Sequence, residues 1–235
     1  MNRLPSAIFL VSILTAIAMS PLHAADAKDP YPAMVPVDQY LIGDVNSEVA
    51  LARSAAPASV AGGAEVMVLG KTGYITAAKG SNGFVCVVER GWGASTTDPN
   101  FWSPTVRAPI CFNPAAARSF LPIYLMRTKL VLAGKSKAEM LKAVDAAFAG
   151  KQLPVLEQGA MCYMMSKQQH LNDGASPNWH SHLMFFVSGD AAKSWGADLP
   201  GSPIVSADDP EERVTVFMVP VGTWSDGTPA PAMHM

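Results

Sequence analysis

Apolar residues along this chain alternate with polar ones in short runs, and they adopt a helical period in only a few places. Residues 65–69, 74–78 and 84–90 read as strands, separated by Gly70-Lys71-Thr72-Gly73 and Gly80-Ser81-Asn82-Gly83. Short glycine-rich links between such runs are hairpin signals, so the three strands are expected to form an antiparallel meander. Before them, residues 44–55 place Val49, Leu51 and Ala52 at roughly helical spacing, and Pro57 ends the run. Asn113-Pro114 opens a second helical stretch, because asparagine caps a helix and proline suits its first position. Pro122 inside that stretch predicts a kink or two helices. Ser136 and Glu139 make a capping box, Met140, Leu141, Val144, Ala147 and Phe148 form one apolar stripe, and Gly150 stops it. Residues 108–112, 159–166, 180–187 and 213–221 read as further strands, with a short helical piece at 190–195.

Two groups of strands around a helical pair indicate an α+β fold and not alternating βαβ units. The expected form is an antiparallel sheet of about six strands with two or three packed helices, in the order helix, three strands, two helices, three strands. Residues 44–222 are expected to form one globular domain, preceded by an extended, proline-rich lead-in at 28–43 and followed by a loose, turn-rich tail at 223–235. Residues 91–109 have no clear period, and they carry Trp92, Phe101 and Trp102 among Gly, Pro, Asp and Asn. A loop this long covers or binds something. Trp92 and Trp102 are therefore a candidate stacking platform for a ligand, against the plainer reading that they fill the core.

The first residues combine a basic start at Arg3 with an apolar stretch at 7–19 and small residues after it. That layout predicts a secretory signal peptide over 1–24, with cleavage as late as 27, where Ala25-Asp26-Ala27 matches the small-residue pattern. No later stretch is long and apolar enough to span a bilayer, so no stable membrane anchor is expected after cleavage. The predicted localisation is periplasmic or secreted. Charged residues are only 15% of the chain, the net charge is −2 and there is no basic run, which argues against a nucleic-acid partner. Export places Cys86, Cys111 and Cys162 in an oxidising compartment. Cys86 with Cys111 is the favoured pair, because the two are closest in the chain and each lies in an apparent strand; three buried thiols are the alternative.

The segments GSNGFVCVVERGW, RAPICFNPAAARSF, CYMMSKQ with HLMFFV, and residues 198–203 resemble a family of exported bacterial proteins without an assigned activity. The resemblance covers nearly the whole chain after the leader. It implies export and brings no catalytic residue.

The chemistry-bearing pattern is NWHSHLMFFV. His180 and His182 on one strand point the same way, and neutral imidazole suits zinc, iron or copper. Such a pair needs further ligands, and His170, Asp173 and, after them, Cys162 are the candidates. Gly174-x5-His180-x-His182 also matches the opening of a cupin motif, but Phe186 and Val187 stand where its glutamate belongs and the second half is missing. Met161, Met164, Met165, Met184 and the terminal Met233-His234-Met235 give a copper-handling reading, set against the use of methionine as core filler. There is no G-x-S-x-G elbow and no phosphate-binding glycine loop. Asp208, Asp209, Glu211 and Glu212 read as a solvated loop, and Glu89 and Arg90 as an exposed strand end. With no complete catalytic set in view, the reading is an exported protein with a binding or structural role toward a small molecule or a protein. The runner-up is a metal-dependent, hydrolase-like enzyme at His180 and His182.

Overall fold

Asp44 starts the first helix, since its carboxylate accepts from the backbone N–H of Asn46 (3.3 Å) and Ser47 (2.9 Å). The helix α1 (Val45–Arg53) ends before Pro57, and a single turn, α2 (Ala58–Ala61), follows. These elements belong to a computed structural model that describes residues 30–174, 178–189 and 191–231. The predicted signal peptide, Asp190 and Met233-His234-Met235 lie outside the described residues.

One mixed sheet of eight strands runs through the molecule in the order β2-β1-β3-β4-β5-β6-β8-β7. The strands are β1 (Glu65–Gly70), β2 (Gly73–Ala78), β3 (Val85–Glu89), β4 (Ala108–Phe112), β5 (Met161–Met164), β6 (His182–Ser188), β7 (Val205–Asp209) and β8 (Val214–Pro220). This corrects the expected six-stranded antiparallel sheet. β1 and β2 do form a hairpin, but β3 joins the other side of β1 and runs parallel to it. The link after β2 therefore passes beneath the start of β1 and is not a hairpin turn. Gly80 makes that passage possible, because a Cβ there would sit 2.2 Å from the Glu65 backbone nitrogen. Ser81 N–H donates to the Gly63 carbonyl at 2.8 Å and fixes the crossing. β7 was also missed by pattern. It is a short edge strand whose sequence, VSADD, lacks the apolar alternation that marks a strand.

Among the described residues there are five α-helices, not two or three. The long helical stretch is divided at Phe120 into α3 (Pro114–Ser119) and α4 (Leu121–Leu132). Pro122 falls in the first turn of α4, where its missing N–H costs no helical bond. α5 (Lys137–Ala149) begins at the Ser136–Glu139 capping box and stops at Gly150. The layers are then clear. α1 and α2 cover β1, β3 and β4 on one side, over Ala52, Ala61, Val66, Val88 and the cysteines. The larger core, with α3, α4 and α5, lies on the other side around Ile110, Phe112, Phe120, Tyr124 and Phe186. Cys86 and Cys111 face each other across the β3–β4 ladder with their sulfurs at 2.03 Å.

The end of β3 carries the first surprise. Arg90, expected at the surface, is 1% exposed, as is Glu48 of α1. The two pair at 2.9 Å; Glu48 also accepts from Leu69 N–H at 3.1 Å, and Arg90 Nε donates to the Tyr40 carbonyl at 2.7 Å. The Tyr124 hydroxyl of α4 accepts from the Arg90 backbone N–H at 2.9 Å. One polar network thus joins the lead-in, α1, β1, β3 and α4. Removing one member of a buried ion pair strands the other charge, at about 3–5 kcal/mol, whereas removing both costs much less. Arg90→Met is expected to lower unfolding stability by about that amount, and Glu48→Leu with Arg90→Met to recover most of it. Urea unfolding of the four proteins of the cycle measures this, and additive losses would show that the pair is not coupled.

Candidate functional site

Among the described residues, those singled out from sequence do not assemble into one metal site. β6 begins at His182, and His180 precedes it. The His182 ring is 2% exposed and packs edge-on against Trp179 at 4.4 Å. Its Nδ1 lies 2.6 Å from the His180 carbonyl, which can only accept, so Nδ1 carries the proton. Burial drives this imidazole down to about 4, and the hydrogen bond to His180 opposes only part of that. His170 instead pairs with Asp173 at 3.0 Å. Asp173 also accepts from Tyr31 (2.7 Å), Ser103 (2.8 Å) and Thr105. Partial burial pushes its carboxyl up, but the hydrogen bonds from His170, Thr105, Tyr31 and Ser103 outweigh this and hold it well below the usual range. Asp173 is thus a clamp between the lead-in and the long loop. Among the described residues, no three His, Cys, Asp or Glu side chains gather as a metal would need.

Trp92 and Trp102 are both buried, and Trp92 Nε1 donates to Thr128 at 3.0 Å, so the long loop packs its aromatics inward and offers neither ring as a platform. Cys162 is a free, buried thiol, and burial pushes it well above its ordinary value, away from nucleophilic thiolate character. Met164 and Met165 are buried as well, which is packing use.

What converges instead is a set of charges that read as surface from sequence. Glu212, in the β7–β8 turn, is 7% exposed and meets Arg127 of α4 at 2.5 Å. Arg127 donates again to the Ala94 carbonyl at 2.5 Å, and its Nε is buried without a partner. Glu89 stands close by. Burial first, then the Glu212 charge, push its carboxyl up to about 8, with Arg127 opposing. Glu212 is pushed up by burial as well, against the pull of Arg127. In sequence the only cue was a lone arginine among the apolar residues of α4.

Glu212 forms part of a groove of about 600 Å³. Its walls are apolar: Ile123, Phe148, Leu153, Leu156 and Val214. Two backbone reversals build it. After Gly150, Lys151 turns left-handed (φ 55), which directs the chain back along α5; at the end of the β7–β8 turn, Arg213 does the same (φ 60). The Arg213 guanidinium then crosses to Asp145 at 2.6 Å and lies 4.8 Å over the Phe148 ring. Only three described non-glycine residues have positive φ, and two of them border this groove. Each such residue costs on the order of 1–3 kcal/mol, and such strain concentrates at functional sites.

Comparison with protein-family models, curated proteins and solved structures finds no match, so the site rests on its own geometry. Among the described residues, no helix is long and apolar enough to cross a membrane.

The buried His182 sets a pH dependence. Between about 4 and 6.5 the unfolded chain binds a proton here and the native one does not. Its contribution is complete above 6.5 and is lost as pH falls toward 4, by on the order of 3 kcal/mol. His182→Gln is expected to flatten that part of the stability curve. Urea unfolding at pH 7 and pH 4.5 tests it, and identical losses in both proteins would mean that the ring is solvated.

Proposed function

We propose that this chain is an exported binding protein and that the groove between α4, α5 and the β7–β8 turn receives a small-molecule ligand. The carrying observation is the groove itself. Its volume falls within the range of about 300–1,000 Å³ typical of small-molecule sites, and its mix of apolar walls with a few fixed polar groups is the usual composition. Val155, at its edge, is 86% exposed, an apolar side chain left in water beside an apolar cleft. A packing role alone gives no reason for that arrangement. Export is supported by the basic and apolar leader pattern and by the Cys86–Cys111 pair, which suits an oxidising compartment.

An uncharged apolar dye reports on the groove without engaging its charges. Nile red is expected to bind the purified protein saturably at one site, with a fluorescence gain. Val155→Asp, at an exposed position, is expected to weaken dye binding several-fold without moving the unfolding midpoint, and Leu156→Trp to weaken it by filling the cleft. Binding that is unchanged in both variants would place the dye elsewhere and contradict the proposal.

A further inference from the structure

The charges around the groove narrow the ligand class, on the footing of the binding role proposed above. Five charged side chains line it or support its lining: Lys151, Arg213, Glu212, Arg127 and Asp145. Glu212 is matched by Arg127, and Asp145 by Arg213. Of the charged side chains in the lining, Lys151 alone has no partner of opposite charge among the described residues. Lys151 is exposed, and its left-handed backbone sets it at the mouth, directly before the apolar wall of Leu153 and Leu156. A cationic ligand would meet an unmatched like charge there, and a neutral one would leave the lysine unused.

We infer that the groove binds a monoanionic amphiphile, with an apolar tail or ring against Leu153, Leu156 and Val214 and a single carboxylate at Lys151. The tail supplies most of the affinity, at about three- to four-fold per buried methylene. The head selects among ligands, since an exposed ion pair adds only a modest, salt-dependent increment. Lys151 is therefore a specificity-determining residue of the groove.

Displacement of Nile red by decanoate, decanol and decylamine, each below its aggregation concentration and at low salt, tests this. The expected order of potency is decanoate, then decanol, then decylamine, with decanoate about three- to ten-fold ahead of decylamine. Lys151→Glu is expected to exchange the acid and the amine while decanol stays within two-fold. Added salt should compress the spread. If Nile red occupies the groove, as judged by its loss in Val155→Asp, yet the three ligands rank equally or Lys151→Glu leaves the order intact, the ligand class is wrong and the groove reading survives. If the dye ignores Val155→Asp, the binding role itself fails, and this inference with it.

Discussion

A buried guanidinium and a buried carboxylate at 2.5 Å tie the helical layer to the far edge of the sheet beside the groove. Arg127 rises from α4 and Glu212 descends from the β7–β8 turn, so their contact joins the helical layer to the far edge of the sheet. Neither charge has water to fall back on, and leaving either one alone is costly. The turn must therefore close where Glu212 can reach inward. Its neighbour Arg213 takes the left-handed backbone that this closure demands and extends outward to Asp145. The outer wall of the groove follows from that division of labour between two adjacent residues. The second nitrogen of Arg127, on the Ala94 carbonyl, anchors the long aromatic loop to the same point.

Glu48 and Arg90 play the corresponding part on the other side of the sheet. Glu89 lies at the same strand end, its carboxyl pushed up to about 8 by burial and then by the Glu212 charge, with Arg127 opposing. The interior at the end of β3 thus holds two ion pairs, Glu48 with Arg90 and Glu212 with Arg127.

Local signals in the sequence were reliable where the chain itself supplies the partner. The Ser136–Glu139 capping box, the Asn113-Pro114 helix start and the break near Pro122 all involve residues a few positions apart. Cys86 and Cys111 were favoured as the two closest cysteines, each in an apparent strand, and the ladder sets them opposite each other. The errors lie in what depends on distant residues. Gly80 and Gly83 signal a turn equally well whether the next strand pairs beside β2 or crosses to the far side of β1, and only the close approach to Glu65 distinguishes the two. β7 is recognisable as a strand through its ladder with β8 and not through its own composition. Glu48, Arg90, Arg127 and Glu212 were placed at the surface or passed over, because a charge in sequence carries no mark of the partner that lets it be buried. His180 and His182 drew attention for their type and spacing, and the fold uses His182 as a neutral, backbone-bonded core residue.

The most direct test of this account is a residue-by-residue map of where a carboxylate amphiphile touches the protein. Amide resonances of the isotope-labelled protein, followed during titration with decanoate, supply it. The account predicts that the largest shifts cluster at Lys151, Leu153, Leu156, Ser188 and Val214 and saturate together with one dissociation constant. Shifts centred instead on the opposite face of the sheet, around Phe185 and Val219, or no saturable shifts at all, would contradict it.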